Sequence, residues 1–266
     1  MSIARDPCKR LCRSSLTLDG TDFTLTVSPH DCANVYLPLA LALIDQSENR
    51  NVGPLMVGIA GPPGSGKSAT SAILSALIND CISDRPDDRA LVIPLDGFHY
   101  PNAWLDSHTG EDHWGNDVAL RTVKGWHTTF DSYRALSLLN RARSGEVVRF
   151  PVYSRDIHEP VDDALEVRHT HDIIIVEGNY LYMDTTPWDR IREVFDVRVF
   201  VTVEFAVLER QITERHMRGR SSAEEAEDRI RRVDRPNMEA VLPTVKHAHY
   251  VIAGERGGLT LSDLHG

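Results

Sequence analysis

Residues 55–60, 90–95, 173–176 and 197–203 are short apolar runs, each closed by glycine, aspartate, glutamate or another polar residue. Runs this short and this rich in Val, Ile and Leu predict buried strands. Residues 147–150 and 250–253 predict two more. Between them, residues 67–81, 130–144, 187–195, 206–218, 223–233 and 236–244 space their apolar positions as helices do. Strands alternating with helices predict an α/β fold, a mostly parallel sheet covered on both faces. Upstream, two alternating runs at 15–18 and 23–27 flank Asp19-Gly20, a hairpin signal. Residues 35–45 predict a helix and 47–51 a polar linker. Residues 1–14 read as a loose basic tail. The chain therefore divides into an N-terminal extension over 1–50 and a main domain over 51–266. Glycine, histidine, asparagine and proline crowd 97–117, which reads as a long loop of the kind that carries function.

Composition narrows the choices. The chain has 266 residues, 41 % hydrophobic, so it can bury a full core. Its net charge of −10 argues against a general nucleic-acid or anionic-membrane binder. A small molecule is the expected partner, and a second copy of the chain is the one macromolecular partner left open. No apolar stretch approaches the roughly 18 residues of a membrane span, and the N-terminus holds no secretory core, so the cytoplasm is the expected location. Cys8, Cys12, Cys32 and Cys81 do not read as a disulfide framework. Lysine is scarce, at positions 9, 67, 124 and 246, which draws attention to Lys67 inside a glycine-rich segment.

That segment is Gly61-Pro62-Pro63-Gly64-Ser65-Gly66-Lys67-Ser68, a full G-x-x-x-x-G-K-[ST] match between a predicted strand and a predicted helix. Glycines let backbone N–H groups wrap an anion, and the helix N-terminus adds its partial positive charge. Residues 61–69, through Ala69, are the expected phosphate cradle of ATP. Lys67 would reach the β- and γ-phosphates, and Ser68 would supply an oxygen to Mg²⁺. A chance glycine-rich turn is the bland reading, and the strand–loop–helix context speaks against it.

Nucleotide binding is not yet transfer. Asp96 closes the run 90–95 at the carboxyl edge of the sheet, where ligands bind in such folds. There it can accept the proton of a hydroxyl nucleophile. Glu177 closes 173–176 in the same way and is the second expected oxygen ligand, with Ser68, of Mg²⁺. A strand-end acid that merely caps a turn is the alternative for each.

These blocks carry a resemblance. Gly58–Ser68 and Leu95-Asp96-Gly97-Phe98-His99 are similar to the hallmarks of the phosphoribulokinase, uridine kinase and bacterial pantothenate kinase superfamily. Further similar blocks are Lys124-Gly125, Thr129-Phe130-Asp131, Phe150-Pro151-Val152-Tyr153-Ser154-Arg155, Glu159-Pro160-Val161, Val176-Glu177-Gly178-Asn179-Tyr180-Leu181 and Asp234-Arg235-Pro236-Asn237. The chain most resembles the fructokinase-like and uridine-kinase-like branch. The resemblance implies a P-loop NTPase three-layer sandwich, an ATP-dependent kinase using Mg²⁺, and Asp96 as base. It implies that Arg215, Arg218 and Arg220 belong to a lid around 215–226, with Arg215 catalytic and the other two on the nucleotide. A solvated arginine-rich helix face is the alternative. His99, Tyr100, Tyr153, Arg155, His158 and Asn179 are the expected acceptor contacts. Tyr100-Pro101-Asn102 leans toward pantothenate kinases, and His127 stands where relatives often have proline.

Weaker signals add little. His169-x-His171 and His247-x-His249 lack further ligands at metal spacing. Trp104, Trp114 and Trp126 wall the acceptor pocket or pack the long loop, and packing is the plainer reading. The expected acceptor is a sugar or polyol. A nucleoside or pantothenate is the alternative within the class, and an ATP-binding regulatory module without transfer is the alternative outside it.

Overall fold

The computed structural model describes residues 6–12, 16–18, 21–82, 89–112, 114–218, 222–255 and 258–264. Twelve strands occur among them, numbered in chain order: β1 Leu16–Leu18, β2 Thr21–Leu25, β3 Leu55–Ala60, β4 Ala90–Pro94, β5 Thr109–Glu111, β6 Asp117–Ala119, β7 Val148–Ser154, β8 Glu159–Val167, β9 Ile173–Glu177, β10 Val197–Val203, β11 Tyr250–Glu255 and β12 Gly258–Asp263.

Six of them form one sheet in the order β12-β11-β10-β3-β9-β4, parallel except for β12. Side-chain alternation sorts each strand between two cores. Leu55, Val57, Ile59, Ile173, Ile175, Val197, Val199 and Val201 face one core, which takes in the helices Leu37–Glu48 and Lys67–Ala76. Met56, Ala60, Ile174, Val176 and Phe200 face the other, against Ser132–Arg143 and Trp188–Arg192. Helices on both faces of a parallel sheet make the three layers that the sequence predicts.

Several expectations change. Residues 1–14 are not a loose tail throughout. Asp6 accepts from the amides of Cys8 and Lys9 and caps a short helix, Pro7–Leu11, whose Cys8 and Leu11 are buried. Cys8 and Cys32 form a disulfide, although the four cysteines do not read as a disulfide framework in the sequence. β1 and β2 pair antiparallel as their alternation predicts, while Asp19 and Gly20 lie outside the described residues. The long loop is not structureless. It holds the helix Asn102–Asp106 and the pair β5–β6. The strand expected at 147–150 runs on to Ser154 and pairs with β8, which the sequence did not disclose. Pro160 and the exposed run Val161-Asp162-Asp163-Ala164, with two adjacent aspartates, hide β8 from a periodicity argument. β12 was likewise missed.

Candidate functional site

The carboxyl ends of β3, β4 and β9 open into one cavity of about 680 Å³. The phosphate loop is its first wall. Gly64 and Gly66 have φ of +80° and +95°, the left-handed region that favours glycine, so the loop can turn its amides inward. Gly66 then caps the helix Lys67–Ala76 without a side-chain bond, which leaves the helix N-terminus open to a ligand. Lys67 is buried and donates from Nζ to Pro62 O at 2.9 Å. Ser65 Oγ is buried and unpartnered within the same loop. A glycine-rich turn, an open helix N-terminus and a buried ammonium together fit a polyphosphate.

Across from the loop, Glu177 ends β9 and is almost fully buried. Ser68 Oγ donates to Glu177 Oε1 at 2.9 Å. One hydroxyl and one carboxylate are both hard oxygen donors, which could hold Mg²⁺ alongside phosphate oxygens. Among the described residues no three His, Cys, Asp or Glu side chains gather at metal-binding spacing, and this includes the histidine pairs noted above.

Asp96 sits in a short 3-10 turn, Leu95–Phe98, directly after β4, and is exposed to the cavity. Its turn is held by contact with β7, because Gly97 lies against Pro151. His99 lines the cavity beside it, stacked on Phe130 at 3.9 Å and edge-on to Tyr153 at 5.5 Å. Burial lowers the His99 pKa, while the charge of Asp96 pulls it back up and Lys124 and Arg229 push it down. Lys124 is also buried, and burial lowers its pKa. Its Nζ donates to Asn102 Oδ1 at 2.6 Å and His158 O at 3.0 Å, and lies 5.0 Å above the Tyr153 ring. The next residue, Gly125, is fixed through its carbonyl by the Tyr180 hydroxyl and by Asn237 Nδ2.

Of the expected residues, Pro63, Gly64, Gly66, Lys67, Ser68, Ala69, Asp96, His99, Arg155, Glu177 and Asn179 line this cavity. Gly61, Pro62 and Ser65 form the loop behind it. Tyr153 backs His99 instead of lining the space. Tyr100 and His158 do not line it either. Tyr100 stacks on Trp104 at 3.8 Å, and His158 contributes its carbonyl to Lys124. Trp104 also stacks on His108 at 3.7 Å, so both of its faces are covered. Arg215 and Arg218 belong to the helix Phe205–Arg218 but their side chains, like all of Arg220, lie outside the described residues.

Among the polar lining residues, sequence reasoning missed Gln211, Arg229, Asp234 and Asn237. The block Asp234-Arg235-Pro236-Asn237 was a signal for the last two. Arg229 ends the helix Ala223–Arg229 and carries no local signature.

The model of the "Phosphoribulokinase / Uridine kinase family" matches residues 56–258. An Escherichia coli (strain K12) relative, "Uncharacterized protein YggC", is 30 % identical over 238 residues, which is 89 % of this chain and 93 % of the relative. The "Putative uridine kinase C227.14" of Schizosaccharomyces pombe is 32 % identical over 187 residues, 69 % of this chain and 75 % of that one. A crystal structure described as a "putative fructose transport system kinase" from Silicibacter sp. TM1040 superposes with a TM-score of 0.67 at 27 % identity, covering 79 % of this chain and 94 % of its own.

Proposed function

The chain belongs to the phosphoribulokinase / uridine kinase family of ATP-using, alcohol-directed kinases, and from that membership we propose that it transfers the γ-phosphoryl group of ATP to a hydroxyl of a sugar or polyol. One observation carries the reading. Asp96 opens into the same cavity as Lys67 and the Ser68–Glu177 pair, so a base, a phosphate cradle and a cation site share one space.

The roles follow from chemistry. The acceptor hydroxyl gives its proton to an Asp96 carboxylate oxygen as its own oxygen bonds to the γ-phosphorus. The bond from that phosphorus to the β,γ-bridging oxygen breaks, and ADP leaves. Lys67 and the loop amides hold the phosphates in line, which supplies positioning and charge compensation. Ser68 and Glu177 would hold Mg²⁺, whose chemistry is to neutralise charge on the phosphate oxygens. Asn179 and His99 would orient the acceptor. Arg215, Arg218 and Arg220 remain the proposed lid cations.

The aromatic arrangement supports a polyol over a base. Trp104 is sandwiched between Tyr100 and His108, and Phe130 has one face on His99, so the large rings near the acceptor side are already stacked on one another. A coupled assay of ADP release against sugars, polyols, their acids and phosphates, nucleosides and pantothenate is the test. A sugar or polyol should be the preferred acceptor. ADP release that no compound stimulates would sink the proposal.

A further inference from the structure

Most of the described arginines of this acidic chain are neutralised by its own carboxylates. Arg134 pairs with Asp162, Arg143 with Asp196, Arg192 with Asp184 and Arg235 with Glu209. Arg155 and Arg229 do not follow this pattern. Among the described residues neither pairs with a carboxylate, and both line the cavity of Asp96.

The two differ in how they are held. Arg229 is braced: its Nη2 donates to Lys124 O at 2.9 Å, on the peptide next to the one that Tyr180 and Asn237 fix. Its charge acts on His99 and on Tyr153, as does that of Asp96, so the guanidinium belongs to the acceptor side. Arg155 follows Tyr153 just beyond the end of β7 and has no hydrogen bond or ion pair to any described residue. The phosphates of ATP already have the loop amides, the helix N-terminus and Lys67. Two guanidinium groups without a carboxylate partner among the described residues, lining the cavity of Asp96, call for a second anion.

Resting on the kinase reading above, we propose that the acceptor carries, besides the hydroxyl presented to Asp96, an anionic carboxylate or phosphate group that Arg155 and Arg229 hold. The acceptor is then a sugar acid or a sugar phosphate, not a neutral sugar. The planar fork of arginine suits either oxyanion, because it offers paired N–H donors to paired oxygens. The anion takes no part in bond making. It sets which hydroxyl reaches Asp96 by fixing the far end of the molecule.

Matched pairs test this on the full-length enzyme: glycerol against glycerate, glucitol against gluconate, and ribose against ribose 5-phosphate. The anionic member of at least one pair should show kcat/KM about tenfold or more above its neutral partner, the gain expected of one charge-assisted hydrogen bond. The acid and phosphate arms identify which oxyanion is used. Arg155→Gln and Arg229→Gln should each raise the KM of that acceptor by about 10–100-fold, with little change in the KM of ATP. Preference for the neutral members, or variants that raise the KM of ATP instead, would overturn the proposal. Inorganic phosphate gives a readout independent of turnover. Titrated calorimetrically into enzyme saturated with a non-hydrolysable ATP analogue and Mg²⁺, it should bind, and Arg155→Gln should weaken it by about tenfold. No phosphate binding under those conditions also overturns the inference. Phosphate binding that depends on Arg155, together with ADP release that no acceptor stimulates, would refute the kinase reading and uphold the anion site.

Discussion

Ser68 Oγ and Glu177 Oε1 stand 2.9 Å apart although 109 residues separate them in sequence. The parallel pairing of β3 with β9 creates that meeting, because both strands end at the same edge of the sheet. The hydroxyl opens one helix and the carboxylate closes the next strand over. Glu177→Gln should therefore leave the fold intact and weaken the hold on the cation. We expect activity at limiting Mg²⁺ to fall about 10–100-fold, with partial recovery at high Mg²⁺. A titration of rate against Mg²⁺ checks this, and an unchanged midpoint would remove Glu177 from the metal side.

Asp96→Asn tests the base. The amide keeps the size of the carboxylate and cannot take the proton. Transfer should drop by about 10²–10⁴-fold, while the affinity for an ATP analogue, measured by calorimetry, stays near that of the parent. Undiminished transfer would mean that another group accepts the proton.

Gly97→Ala tests how the base is held. A Cβ at this position would lie 2.1 Å from Pro151 O and 2.6 Å from Pro151 C, both backbone atoms of β7. Neither can rotate away, so the turn or the strand must shift. The expected cost is about 1–3 kcal/mol, read as a lower urea midpoint. Activity should fall further than stability alone explains, because Asp96 moves with its neighbour. Parent-like stability would show that the contact between this turn and β7 is slack.

Acid should loosen the acceptor wall. His99 and His127 are both held below their ordinary 6.5, and burial is the main cause in each. The unfolded chain takes up these protons near pH 6.5, whereas the folded chain resists them. Their contribution to stability is thus present above pH 6.5 and is lost as pH falls toward the lowered folded values. Urea midpoints between pH 8 and pH 5 should show the decline, and His127→Gln should flatten part of it. A slope unaffected by that substitution would assign the decline to other groups.

The sheet was legible because its central strands are buried on both faces, so residues 55–60 and 173–176 announce themselves as unbroken apolar runs and 197–203 as one interrupted only by Arg198 and Thr202. The phosphate loop was legible because wrapping an anion needs glycines at fixed intervals. β8 was not, since Pro160 and the adjacent Asp162 and Asp163 break any apolar alternation and the strand is held by pairing with β7. The short helix Pro7–Leu11 and its disulfide to Cys32 escaped for a related reason. A basic segment with few apolar residues gives no periodic signal, yet Cys8 and Leu11 are buried. Arg229 and Asn237 were passed over because their helices look like ordinary surface helices. Only the folded arrangement shows that their side chains reach the carbonyls of Lys124 and Gly125.

The β7–β8 hairpin has a rooted half and an exposed half. Its root leans on the turn of Asp96 through Pro151, and its tip, residues 155–158, is exposed and carries Arg155. On the proposed roles, drift at the root would disturb the chemistry, whereas drift at Arg155 would change what the enzyme accepts. Lineages of this architecture can therefore trade substrates by rewriting a few tip residues, with the catalytic apparatus inherited unaltered.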